Sequence, residues 1–147
     1  NFNSEDSGNV QLLELMKYFA VLCILLFASV TDYKKREVPY IYIILLILTA
    51  LIDFRASNML GCLLSVPFYF AQNEGRCMGG GDVLIVAALG FSLGLAPTLV
   101  TVIIGCIVFI IAGLVSEIKK GKGKQLFPFV PALTIGYIVN TVLEVLI

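Results

Sequence analysis

The sequence predicts an all-α, polytopic integral membrane protein with six transmembrane helices and both termini outside the cytoplasm. Three observations carry this. Of 147 residues, 59% are hydrophobic and only 14% are charged, with a mean hydropathy of +0.99; a soluble domain carries about 25% charged residues. Apolar runs near span length recur along the whole chain between short polar breaks. When the chain is divided into six spans, eight of its ten basic residues fall in loops on one side, as the excess of Lys and Arg in cytoplasmic loops requires.

Residues 1–9 form a polar tail, expected to be mobile, and the rest of residues 1–147 reads as one transmembrane domain. Leu12 to Thr31 is the first span, since about twenty residues at about 1.5 Å each match a hydrocarbon core of about 30 Å. Its length and the lack of a basic flank set it apart from a signal-peptide core. Asp32 to Pro39 is a charged break, and Pro39 suits the start of a new helix. The second span runs from Tyr40 to Ile52, and Asp53 to Ser57 is a polar turn. Asn58 to Gln72 is a short third span containing Pro67. Asn73 to Gly81 is a loop with Glu74 and Arg76. Val83 to Leu95 is the fourth span, and Gly94 to Pro97 a tight turn. Thr98 to Val115 is the fifth span, Glu117 to Gln125 a lysine-rich loop, and Phe129 to Ile147 the sixth span.

The split between the fourth and fifth spans rests on length and charge. Joined, they would form a helix of about 45 Å, too long for a bilayer without strong tilt. Splitting them also keeps Lys119, Lys120, Lys122 and Lys124 on the side of Lys34, Lys35, Arg36 and Arg76, leaving Arg55, and Lys17 within the outer half of the first span, as the exceptions. Gly90 and Gly94 form a G-x-x-x-G, a close-packing pattern.

Several chemistries are closed. There is no histidine, which removes Ser-His and Cys-His catalysis and the commonest metal ligand. The four cysteines, Cys23, Cys62, Cys77 and Cys106, include no C-x-x-C pair, so neither a zinc ribbon nor a redox motif is indicated. Zero net charge offers no basic field for nucleic acid. No metal and no cofactor is called for.

What stays open is carboxylate chemistry. Met78-Gly79-Gly80-Gly81-Asp82 places an aspartate after three glycines and directly before an apolar run. A carboxyl at the edge of a membrane is costly and reads as functional. The six-span topology puts Asp32, at the end of the first span, at the same depth as Asp82, at the start of the fourth. Two facing carboxyls share a proton, because like charges a few ångström apart resist double ionisation. One then activates water while the other protonates a carbonyl, which is aspartic-protease chemistry. Asp82 opens a helix and Asp32 closes one, so the helix dipole assigns Asp82 as the base and Asp32 as the carrier of the shared proton. The plainer reading makes Asp82 a helix N-cap and Asp32 a counter-charge to Lys34 or Lys35.

At these residues the chain resembles the type IV prepilin peptidases, membrane aspartyl proteases of the GxGD class. Gly79-x-Gly81-Asp82 matches the GxGD frame, Asp32 is followed six residues on by Val38-Pro39, and Pro128-Phe129-Val130-Pro131 with Gly136 matches a Pro-Phe-x-Pro stretch opening the last span. Tyr40 stands where the family often has asparagine, and Val83-Leu84 replaces a frequent x-Lys-Leu. The loop over Tyr33 to Glu37 is too short for the methyltransferase insert with paired cysteines that larger members carry. The resemblance implies an aspartic endopeptidase with catalytic Asp32 and Asp82. It would cleave the short basic leader of prepilin or pseudopilin precursors at the cytoplasmic face of a prokaryotic cell membrane. Gly79, Gly81 and Pro39 would shape the substrate loop, and Glu37 and Glu74 would attract the basic leader. A side chain at positions 79 to 81 would crowd the incoming peptide, so Gly81→Val is expected to abolish cleavage. The short third and fourth segments would leave a water-accessible notch beside the aspartates. Two alternatives stand beside this: a signal-peptide-peptidase-like GxGD protease, disfavoured by the absence of a Tyr-Asp motif, and a non-catalytic membrane scaffold or transport subunit, in which the aspartates need not meet.

Overall fold

The computed structural model of the chain describes residues 2–35, 37–52, 54–73, 80–120 and 128–147. Six α-helices and one 3₁₀ helix make up these residues, with no strand among them. No proline precedes Pro39, so nothing interrupts the first helix. α1 runs from Phe2 to Lys35, 34 residues, and the tail expected to be mobile is instead continuous with the first span. Lys34 and Lys35 lie in its last turn, where cations suit the negative end of the dipole.

Pro39 caps α2 (Tyr40–Ala50) in an extended conformation with φ −61° and ψ 140°. The third apolar segment is not one α-helix. A 3₁₀ helix over Ala56–Leu64 leads into α3 (Ser65–Asn73). Pro67 has no N–H, and its ring conflicts with the carbonyl four residues back, so the α-helical pattern cannot extend through it toward Leu63 undisturbed. The 3₁₀ stretch rises about 2.0 Å per residue, against about 1.5 Å in an α-helix, and so covers more depth than its residue number suggests.

α4 (Gly80–Leu93) and α5 (Leu95–Lys120) are separate helices, as length and charge required. The break is a single residue rather than the four-residue turn expected. Gly94 takes φ +91°, a left-handed conformation that side chains resist. Its N–H donates to the Gly90 carbonyl at 2.9 Å and closes α4. Pro97 then sits in the first turn of α5, where its missing N–H leaves no bond unmade. α6 spans Phe129–Leu146.

Three of these helices, Ser7–Lys35 within α1, Leu95–Lys119 and Phe129–Leu146, are long and apolar enough to cross a membrane; Tyr40–Ala50 and Gly80–Leu93 are shorter apolar helices. The six helices expected are present, but full span length holds for three.

α4 is the centre of the bundle. It buries Val83, Ile85, Val86, Ala88, Leu89, Gly90 and Ser92, residues spread around its circumference, as in a helix apolar on every face. α2, the 3₁₀ helix, α3 and α5 pack around it, while α6 lies against both α1 and α5. The G-x-x-x-G glycines serve these internal contacts. A Cβ on Gly90 would land on the backbone carbonyl of Gly61, and one on Gly61 on that of Gly90, so α4 and the 3₁₀ helix cross backbone to backbone. The Cys62 thiol donates to the Ala87 carbonyl at 3.4 Å beside this crossing.

The end of the bundle remote from Asp32 is polar inside. The Thr49 and Ser92 hydroxyls pair at 2.8 Å, and the Asn58 amide donates to the Ser92 carbonyl at 3.3 Å. Lys17 is buried there, and Arg55 pairs with Glu14 at 3.2 Å. Asp53, expected on this side, lies outside the described residues, as do Arg36, Arg76, Cys77, Lys122 and Lys124.

Candidate active site

The last turn of α1, the extended stretch after it and the first turn of α4 enclose a cleft of about 420 Å³. Asp32, Glu37, Val38, Tyr40, Gly80, Gly81, Asp82 and Leu84 line it. The two aspartates, fifty positions apart in sequence, therefore reach one cavity from two different helices. They sit at different depths. Asp32 is 6% exposed, Asp82 is half-buried, and Glu37, Tyr40, Gly80 and Leu84 are exposed at the rim. The cleft thus grades from a buried carboxyl to an open mouth.

Local sequence explains each position. Asp82 is the third residue of α4 and lies in its first turn. It follows two helical glycines rather than acting as the cap, and the loop expected to run to Gly81 gives way to helix at Gly80. A carboxyl at this point faces the positive end of the helix dipole. Gly81 is packed, not open. A Cβ there would stand 3.0 Å from the Val38 Cβ and 3.5 Å from its Cγ2. The GxGD glycine and the Val38-Pro39 pair are thus in direct contact across the cleft wall, which gives a second physical reason for glycine at 81 beside room for a peptide. Pro39 does not line the cavity; as the cap of α2 it fixes the course of Val38 and Tyr40, which do.

Asp32 has surroundings that sequence reasoning did not find. Its Oδ2 accepts the Val130 N–H at 3.3 Å, and Val130 is the second residue of α6. Asp32 closes its own helix yet meets the start of another. Both carboxyls therefore lie at a helix N-terminus, and the dipole asymmetry used to assign Asp82 as the base and Asp32 as the proton carrier does not hold. The turns around Asp32 are pinned on two sides. The Ser29 and Thr134 hydroxyls pair at 2.6 Å, tying α1 to α6, and the Thr31 and Tyr42 hydroxyls pair at 2.9 Å, tying α1 to α2. The one signal that pointed this way is spacing, because Ser29 and Asp32 share a helix face at i, i+3.

Of the site residues read from the sequence, Asp32, Asp82, Gly81 and Glu37 meet at the cleft and Pro39 stands behind it; Glu74 and Gly79 lie outside the described residues. The cleft opens at the N-terminal end of the 14-residue α4.

No curated protein and no solved structure matches the chain at a significant level. A family model does. It covers residues 19–114, well over half the chain and both aspartates, while leaving α6 outside the match. The chain therefore belongs to the type IV leader peptidase family, a family of membrane-associated proteases.

Proposed function

We propose that the chain is an aspartic endopeptidase in which Asp32 and Asp82 form the catalytic pair, and that it removes the short basic leader from prepilin or pseudopilin precursors at the cytoplasmic face of a prokaryotic cell membrane. The observation that carries this is the convergence of Asp32 and Asp82 on one cleft from separate helices. A scaffold has no need of that arrangement.

The chemistry needs only these two side chains and water. With one proton shared between the carboxyls, the carboxylate takes a proton from water as its oxygen attacks the scissile carbonyl. The carboxylic acid gives its proton to the carbonyl oxygen, forming a neutral gem-diol. On collapse, a diol hydroxyl proton returns to one carboxyl and the leaving nitrogen is protonated by the other. The C–N bond breaks and the pair is left with one proton again. The cleft suits this sequence of steps because Asp32 is shielded while the mouth is open to peptide and water. Glu37 is exposed at that mouth, where a basic leader gains from a carboxylate. The leader precedes a hydrophobic helix that stays in the bilayer, and Tyr40 and Leu84 at the rim offer the apolar contact for its start.

The test is cleavage of a leader-bearing prepilin by the purified full chain in lipid nanodiscs, with Asp32→Asn and Asp82→Asn beside it. Both variants are expected to fold and to lose turnover by about a hundredfold to ten-thousandfold, as when a general acid–base participant is removed. Undiminished activity in either variant would end the assignment.

A further inference from the structure

We propose that the start of α6 is a positioning element for Asp32, acting through the Val130 backbone N–H and held in register by a line of hydrogen bonds along the α1–α6 seam. The inference rests on the catalytic pair proposed above but adds a third segment to it, one that lies beyond the stretch matched by the family model.

The seam is built in rungs. Nearest the middle, the Tyr137 hydroxyl donates to the Tyr18 carbonyl at 2.9 Å. Then the Thr134 hydroxyl, bonded to Ser29 at 2.6 Å, also reaches the Leu25 carbonyl at 3.3 Å and the Val130 carbonyl at 2.9 Å. Last comes the Val130 N–H on Asp32 at 3.3 Å. On α6 these positions are 130, 134 and 137, one face at i, i+4, i+7; on α1 they are 18, 25, 29 and 32, again one face. Tyr137, Thr134, Leu25 and Val130 are all buried. In an apolar bundle such bonds have no water to compete with them. They set the rotation and axial register of α6 against α1, and so where its first turn meets Asp32.

The Pro-Phe-x-Pro stretch shapes that first turn. Pro128 caps α6 with φ −64° and ψ 140°. Phe129 is buried and anchors the turn between Phe68 and Phe109, with ring centroids 5.7 and 5.5 Å away. Pro131 contributes no N–H. The turn is thus pruned of a donor next to the one that meets Asp32. A first-turn N–H has no partner within its own helix, so using it on the carboxyl costs α6 nothing. The bond holds Oδ2 and so fixes the plane of a carboxyl that lines the cleft.

The test removes that single N–H. Val130 is replaced, in the full chain in nanodiscs, by its α-hydroxy analogue, which turns the amide into an ester; Val130→Pro is a second route, since proline is accepted in a first helical turn. Val130→Ala keeps the N–H. The expected result is a fall in kcat of about tenfold to a hundredfold for the ester, the range for a hydrogen bond to a charged group, with KM for the precursor and the melting temperature little moved. The loss of turnover in Val130→Ala should be clearly smaller than that of the ester. Equal kcat for ester and wild type overturns the proposal, as does an equal loss in Val130→Ala, which would make the side chain and its packing responsible. A readout without turnover separates this from the functional reading. A hydrophobic carbodiimide should label Asp32 faster in the ester variant than in wild type, with Asp82 unchanged. If the chain cleaves no prepilin but the labelling difference is present, the peptidase reading fails and the positioning stands; if cleavage is normal and labelling is equal, the positioning fails alone.

Discussion

The contact between Gly81 and Val38 makes the requirement for glycine at 81 testable. Gly81→Ala adds one carbon 3.0 Å from the Val38 Cβ, 3.5 Å from its Cγ2 and 3.8 Å from its backbone nitrogen. Carbon pairs rest at about 3.5–4.0 Å, so at 3.0 Å the wall of the cleft must give by a few tenths of an ångström. Overpacking of this kind costs about 1–3 kcal/mol. Gly81 adjoins Asp82, and Val38 lies between Glu37 and the α2 cap, so the displacement falls on residues that line the cleft. A shift of about 1 Å at a reacting centre lowers turnover by about a hundredfold, so a shift of a few tenths of an ångström is expected to lower it by about tenfold or less in Gly81→Ala. The tightest contact is to Cβ, so Val38→Gly should relieve it and Val38→Ala should not. The assay is prepilin cleavage by the two single variants, the Gly81→Ala/Val38→Gly double variant and its Val38→Ala counterpart. The double variant with glycine should return to within a few-fold of Val38→Gly alone, a coupling of about 1 kcal/mol. If Val38→Gly restores nothing, crowding of the wall is not the reason for glycine, and the reason is the peptide's own approach. Gly81→Val should show no turnover on either account, with membrane insertion intact.

Gly90→Ala and Gly61→Ala should each destabilise the chain by about 3 kcal/mol or more, because the new carbon meets backbone that no rotamer can move; a melting temperature in detergent equal to wild type would contradict the crossing. Gly94→Ala should lose about 1–2 kcal/mol from its φ of +91°, read by thermal unfolding. Glu14→Gln breaks an exposed pair with Arg55 and should move the melting temperature little, since such pairs contribute about 1 kcal/mol at most. Glu37→Lys should raise KM for a leader with several lysines while leaving KM for a neutralised leader in place; equal effects on both would remove Glu37 from leader recognition.

Hydrophobic run length and charge placement located the helices, because burial and the positive-inside bias act on local stretches of sequence. The split at Gly94, the start of α6 at Phe129 and the placement of Asp32 and Asp82 at one end of the bundle were legible for that reason. Three things were not. The 3₁₀ stretch before Pro67 and the extension of α1 to Phe2 depend on packing and on the absence of a helix breaker, which hydropathy does not register. The partners of the G-x-x-x-G glycines depend on which helix crosses which, and Gly61 is an isolated glycine in sequence. The surroundings of Asp32 depend on the α1–α6 register, set by side chains about a hundred residues apart.

By itself the sequence determined that the chain is helical and apolar, that Asp32 and Asp82 stand at the ends of apolar runs and that no histidine is present, since these follow from residue type and local spacing. The tertiary structure alone decided what those aspartates meet: Asp32 the first turn of α6, and Asp82 a cleft whose wall is Val38 pressed against Gly81. Hydrogen bonds and van der Waals contacts act over a few ångström, and only the folded chain brings positions 32, 38, 81 and 130 within that distance.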